Sequence, residues 1–254
     1  MVRRKKKSCL LPLLVVILII AFGWWYWVRA KSHFVHYPEF GIEIPRGYEV
    51  HGIDVSRYQD FIDWYQVKDM QIGDIHISFA FIKATEGLKN MDRHFKRNWR
   101  KAKDAGIARG AYHFFLPTKS GKAQAENFIS RVKLENGDLP PVVDIEQAYG
   151  VSADKIRKEV KAFLDAVEFY YGVKPIIYTN VNFYYRYLED GFEGYPLWVA
   201  HYLQRERPRI DRDWIFWQHS EIGRVDGILH KVDFNVFNGD SADFRKLLIS
   251  MAPE

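Results

Sequence analysis

Eight short apolar runs recur along this chain, each rich in β-branched or aromatic residues and each ending in polar ones: YEVHGIDVS, HISFAFIKATE, ARGAYHFF, PPVVDIE, KPIIYTN, PLWVAHY, WIFWQHS and HKVDFNVF. Runs of this length and make-up read as largely buried strands. Between the early ones lie HFKRNWRKAKDAG, SGKAQAENFISRVKL and SADKIRKEVKAFLDAVEFYYG, helix-like stretches of which the last two open with a serine. Alternation of strand and helix implies a parallel sheet covered by helices. The spacing narrows the topology further. Asp54 to Lys83 is 29 residues, Lys83 to His113 is 30, His113 to Asp144 is 31 and Asp144 to Tyr178 is 34, each enough for a βαβ crossover. Tyr178 to His201 is only 23, His201 to Gln218 is 17 and Gln218 to Asp233 is 15, which leaves little room for crossover helices. The expected fold is therefore an α/β, irregular TIM-like (β/α) barrel. Its first half has regular βα units, its last strands are joined by short connections, and part of its end runs antiparallel. In such a barrel the site gathers at the C-terminal strand ends, where the polar residues of these runs collect.

The charge distribution limits the partners. Of the formal net charge of +5, seven cations (Arg3, Arg4, Lys5, Lys6, Lys7, Arg29 and Lys31) lie in the first 32 residues, which hold no acid. Removing them leaves the remainder at about −2, so nucleic acid has no electrostatic footing on the body of the chain. From Cys9 to Val28 the sequence is uncharged for 20 residues, about the length needed to cross a bilayer's hydrocarbon core. With five cations before it and two after it, and with Trp24, Trp25, Tyr26 and Trp27 at its far end, it reads as a transmembrane signal anchor. The basic end should stay cytoplasmic and the bulk of the chain extracytoplasmic, in the periplasm or at the cell exterior. A cleavable signal peptide ending near Ala30 is the alternative. The expected organisation is a tail and anchor over 1–32, a juxtamembrane linker over 33–48 and one domain over 49–254. Cys9 is the only cysteine, which excludes intrachain disulfides, cysteine-based zinc sites and a Cys nucleophile in that domain.

The candidate chemistry lies in PPVVDIEQAY. Side chains alternate along a strand, so Asp144 and Glu146 share one face, with Cα atoms about 7 Å apart. Two acids together in a barrel mouth raise at least one pKa through repulsion and desolvation. One protonated and one ionised carboxyl is what glycosidic cleavage needs. An isolated D-x-E is more often a cap or a salt-bridge network, so the neighbours matter. Asp54 ends the first run and Asp233 sits in the eighth, and closure of the barrel makes these strands adjacent. Around them come Lys83 and Glu86 in IKATEG, Tyr112 and His113 in GAYHFF, Tyr178 in IIYTN, Trp198 in LWVAHY, and Trp217 and Gln218 in FWQHS. Aromatic faces with polar edges suit pyranose rings, although core packing is the default for any single ring.

The ordered segments HGIDVSRYQDFIDW, FAFIKATEG, GAYHFF, PVVDIE, PIIYTN, LWVAHY, FWQHS and VDGILHKVDFNVF resemble the signature segments of glycoside hydrolase family 25, the Chalaropsis-type lysozymes, over about residues 50 to 240. The resemblance implies cleavage of the β-1,4 bond between N-acetylmuramic acid and N-acetylglucosamine in peptidoglycan glycan strands, with no metal and no other cofactor. It places Asp54, Asp144, Glu146 and Asp233 in the family's acidic cluster, with Asp226 a rival to Asp233. Glu146 would serve as general acid and then base, and Asp144 would stabilise the anomeric centre or steer the N-acetyl group. Arg57-Tyr58 stands where many members have His-Trp, and His219 where Tyr is common. Two other readings of the same acids are a glycan-binding protein without catalysis and a metal-dependent barrel hydrolase.

Overall fold

The computed structural model describes residues 10–30, 33–204 and 206–250. The first helix, α1 (Leu10–Ala30), has its side chains described over residues 14–25, and those of Leu14 to Ile20, Phe22, Trp24 and Trp25 are exposed. Among the described residues, no helix is long and apolar enough to cross a membrane. The cations Arg3 to Lys7 and Lys31, together with Cys9, lie outside the described residues.

All eight expected runs form strands, and they close into a barrel. In chain order the elements are β1 (Phe34–Tyr37), β2 (Ile42–Pro45), β3 (His51–Val55), α2 (Trp64–Asp69), β4 (Gln71–Ile72), β5 (Ile75–Glu86), β6 (Asn90–Met91) and α3 (Phe95–Asp104). There follow β7 (Ala108–Phe114), α4 (Gly121–Ile129), β8 (Val142–Asp144), α5 (Ala153–Tyr171), β9 (Ile176–Asn180), α6 (Val181–Phe183), β10 (Leu197–Ala200), β11 (Phe216–Gly223), β12 (Val232–Phe237) and α7 (Ser241–Leu247). The barrel runs β3-β12-β11-β10-β9-β8-β7-β5 and closes through a β3–β5 pairing. Every neighbouring pair from β3 through β5 to β11 is parallel. Only β12 is reversed, antiparallel to both β11 and β3. The short intervals foresaw this end of the barrel: β10 and β11 are joined by an irregular segment, and β11 and β12 by a turn.

Two apolar layers follow from the period-two alternation. Phe79, Phe81, Tyr112, Val142, Ile176, Tyr178, Trp198 and Phe216 point into the barrel and pack on one another. Ala80, Ile82, Ala111, Val143, Ile177, Val199, Trp217 and Phe234 point outward, into the layer that surrounds the barrel. Phe79 and Phe81 fill the interior because Gly52 and Gly110 stand opposite them. A Cβ at either glycine would lie 2.5 or 2.4 Å from a ring carbon. The helix starts are capped as their sequences suggest at α4, where the Ser120 hydroxyl accepts from Ala123 N–H; at α5, Ser152 makes no such bond.

Segment 33–48 is not the linker that its position suggested. β1 and β2 form an antiparallel hairpin whose Phe40, Ile42 and Ile44 are buried in the outer layer. Phe40 meets the Phe234 ring at 5.3 Å, Phe34 meets Trp217 at 6.0 Å, and Phe40 C=O accepts from Arg224 N–H. The physical cause is the missing crossover: no helix connects β11 to β12, so their apolar outer face needs another cover, and the hairpin supplies it.

Candidate active site

At the C-terminal end of the parallel strands lies a cavity of about 310 Å³. Each barrel strand sends inward-facing residues to it. Asp54 comes from β3, Lys83 from β5, Tyr112 and Phe114 from β7, Asp144 from β8, Tyr178 from β9, Trp198 from β10, Gln218 and Glu221 from β11, and Asp233 from β12; Glu146 and Tyr202 follow β8 and β10. Glu146 keeps the inward face beyond the end of β8 because Ile145 N–H still bonds to Tyr178 C=O, with the Ile145 side chain buried outward. Asp233 stands directly opposite Asp54 across the antiparallel pair.

The cavity concentrates negative charge in a poorly solvated place. Asp54 Oδ2 accepts from Gln218 Nε2 and Asn235 Nδ2, both at 2.8 Å. The Asp233 carboxyl lies within hydrogen-bonding reach of Asp54. Burial, the Asp54 charge and that hydrogen bond push Asp233 up to about 9, so it holds its proton at neutral pH. Burial and then the Glu146 charge hold Asp144 well above the usual carboxylate range; one of its oxygens, Oδ1, is buried with no hydrogen-bond partner among the described residues. Glu146 is raised by burial and then by the Asp54 charge, while Lys83 pulls it down. Lys83 Nζ donates to Glu86 at 2.7 Å and lies 4.5 Å above the Phe114 ring. The result is a set of acids of unequal proton affinity around one opening, which suits proton donation to an oxygen held between them.

A family model for glycosyl hydrolases family 25 matches residues 53–228. The chain belongs to glycosyl hydrolase family 25. Among its relatives, the protein YegX of Escherichia coli (strain K12) is 49% identical over 210 residues, covering 82% of this chain and 77% of YegX. Lysozyme M1 of Streptomyces globisporus is 38% identical over 209 residues, covering 76% of this chain and 69% of its own. The solved family 25 glycosyl hydrolase of Bacillus anthracis superposes with a TM-score of 0.75 at 32% identity, over 85% of this chain and 98% of the other.

Within this glycoside hydrolase the four acids picked out by sequence meet at one cavity, together with Lys83, Tyr112, Tyr178, Trp198 and Gln218. Asp226, the rival to Asp233, lines a different cavity beside the 61–63 turn. Three other candidates lie elsewhere. His113 is fully buried behind the sheet, where Nδ1 bonds to Thr85 Oγ1 at 2.7 Å and Nε2 to Gln124 Oε1 at 3.2 Å, and its ring packs 5.0 Å from Phe163. Trp217 is in the same outer layer, its Nε1–H on His201 C=O. Both neighbour an inward residue, Tyr112 and Gln218, and so must face the other way. Glu86 does not line the cavity but reaches it through its ion pair with Lys83. A β-bulge between Lys83 and Thr85 resets the alternation there.

Several contributors were not foreseen. Asn235 shares the inward face of β12 with Asp233, and the i, i+2 spacing in VDFN was the available signal. Tyr202 donates to Gln218 Oε1 at 2.5 Å. Glu221 reaches the rim only because two register shifts interrupt β11. Gln59 and Ser56 form a capping box that turns the chain sharply after β3, and Gln59 Nε2 ties the turn to Lys231 C=O. Among the described residues, no group of three or more His, Cys, Asp or Glu side chains is arranged to hold a metal ion.

Proposed function

We propose that this chain is a lysozyme that hydrolyses the β-1,4 bond between N-acetylmuramic acid and N-acetylglucosamine in peptidoglycan, with Glu146 as general acid and then general base. The observation that carries this reading is the convergence of Asp54, Asp144, Glu146 and Asp233 on one cavity walled by Tyr112, Tyr178 and Trp198. Glu146 is the less enclosed of the two acids in D-x-E, so it stands where a leaving glycosidic oxygen could reach it. Its raised pKa keeps a proton available for that oxygen. After the leaving group departs, the same carboxylate accepts a proton from the attacking water. Asp144, which lines the cavity beside Glu146, is suited to accept the N–H of an N-acetyl group and hold its carbonyl against the anomeric carbon, a recognised variant of the two-carboxylate scheme. The name of Lysozyme M1, a relative in the same family, supports the substrate.

Glu146→Gln keeps the shape and removes the titrating proton. Its expected effect is a loss of about 10²-fold or more in turnover, read by mass spectrometry of muropeptides released from purified peptidoglycan. Turnover near the wild-type rate would refute the role of Glu146. Release of peptides without new reducing ends would refute the bond assigned.

We further propose that the apolar stretch containing α1 holds the enzyme at a membrane, with the barrel on the extracytoplasmic side. The support is the uncharged run Cys9–Val28 and its flanking charges. Alkaline extraction of membranes tests it: recovery of the full-length chain in the soluble fraction would remove the anchor.

A further inference from the structure

The hydrogen bonds beneath the acids decide which of two paired carboxyls carries a proton. Asp54 and Asp233 face each other across the β3–β12 pairing and lie within hydrogen-bonding reach. Two carboxylates that close share one proton, and the open matter is where it sits. Asp54 Oδ2 accepts two amide N–H bonds, from Gln218 and Asn235, whereas no amide or hydroxyl bond to Asp233 is found among the described residues other than its contact with Asp54.

The direction of the Asn235 amide is not free. Indole Nε1–H can only donate, and Trp198 Nε1 lies 2.8 Å from Asn235 Oδ1. The amide oxygen is thereby committed to Trp198, and the amide NH₂ to Asp54. A flip would set an NH₂ against an N–H and an oxygen against a carboxylate. Gln218 stands in the same sense, its Oε1 accepting from the hydroxyls of Tyr178 at 2.8 Å and Tyr202 at 2.5 Å. Asn235 is fully buried and does not line the cavity.

We infer that Asn235, oriented by Trp198, is a positioning residue that holds Asp54 as the carboxylate and leaves the shared proton on Asp233. Placement of the charge matters because Asp54 is the leading charge that raises Glu146, and Asp233 and Glu146 act on each other as well. The other charged groups around Asp54 are Asp144 beside Glu146, Lys83 on β5 and Glu221 on β11. Tyr112, Tyr178 and Tyr202 face it too; burial pushes all three phenols up, so they stay neutral. With the negative charge on Asp54, Glu146 keeps its proton to higher pH. Without the Asn235 N–H, which lowers Asp54, the pair gives up its proton only at higher pH, and Glu146, facing less negative charge, releases its own sooner.

The proton placement does not depend on the lysozyme reading, but its effect on turnover does. Neutron diffraction from the wild-type chain near neutral pH tests the placement: a deuteron on an Asp233 oxygen and none on Asp54 is expected, and a deuteron on Asp54 overturns the inference. Asn235→Leu and Trp198→Phe test the consequence, the second retaining a ring against Phe81 should the first fail to fold. In either variant the basic limb of the kcat–pH profile on purified peptidoglycan should move down by about half a pH unit or more. A change in KM with the limb unmoved overturns it. A wild-type chain that releases no reducing ends would instead defeat the lysozyme reading while leaving the diffraction result to stand or fall alone.

Discussion

Replacing Asp233 by asparagine should change how the stability of the chain responds to pH, and the size of the change follows from the site. Folded Asp233 holds its proton up to about pH 9, against an ordinary value of 3.8. Between those values the folded chain carries a proton that the unfolded chain has released. A raised carboxyl contributes stability that is fully present below the unfolded value and is lost as pH rises toward the folded one. Each retained proton lowers the unfolding free energy by about 1.4 kcal/mol per pH unit, or about 4 kcal/mol from pH 5 to 8. The amide of the Asp233→Asn variant is neutral throughout, and its NH₂ can still donate to Asp54. The free-energy difference between variant and wild type should therefore move in favour of the variant by about that amount across the interval. Asp54, Asp144 and Glu146 act in the same sense, being raised as well. Three buried histidines act in the opposite sense: His51, His113 and His219, lowered to about 4, 3 and 3, cost stability as pH falls below 6.5. The histidines cancel in the comparison of variant with wild type. Urea unfolding at four or five pH values, with slopes checked for constancy, measures the difference. A difference that stays flat from pH 5 to 8 would mean that the folded chain holds no proton at this pair, and the electrostatic account of the cavity would fall.

Two further outcomes follow from other parts of the molecule. Phe40→Ala removes a fully buried ring from between the hairpin and β12, at a cost of about 3–5 kcal/mol; a fall in Tm on the order of 10 °C by circular dichroism is expected, and a fall within a degree or two would return segment 33–48 to the status of a linker. Lys83→Met removes the cation that lowers Asp144 and Glu146, so the basic limb of the pH–rate profile should shift upward; a downward shift would show that Lys83 does not act on Glu146 by charge.

The barrel could be read from the sequence because its evidence is local and repetitive. Apolar runs with polar ends and the narrowing of intervals from 34 to 15 residues follow directly from how much chain a crossover consumes. The acids were legible for the same reason: the alternation that puts Asp144 and Glu146 on one face is a property of any strand. Applied to the adjacent pairs Tyr112-His113 and Trp217-Gln218, that alternation admits only one cleft residue from each, and the structure takes Tyr112 and Gln218. What the sequence does not show is where alternation is interrupted. The bulge after Lys83 and the shifts at Ser220 and Gly223 depend on pairing with a partner strand, so the positions of Glu86 and Glu221 could not be reached from spacing alone. The hairpin was hidden for a different reason. Its need arises from a bare face on β11 and β12, which exists only once the barrel has closed.

That bare face ties the hairpin to the chemistry. β12 is the one reversed strand, so its first residues, not its last, lie at the mouth of the barrel, and Asp233 can stand opposite the end of β3. The arrangement depends on register, because a slip of one residue would send Asp233 and Asn235 outward and Phe234 inward. Phe234 prevents the slip. Its ring lies against the Phe40 ring on one side and occupies, on the other, the space that a Cβ at Gly223 would need, 2.2 Å from a ring carbon. A side chain at Gly223 or a small residue at position 40 loosens that grip, and the first part of the site to feel it is the pairing of Asp54 with Asp233. The outer hairpin, which touches none of the acids that line the cavity, thus holds in place the strand on which the proton of the buried pair resides.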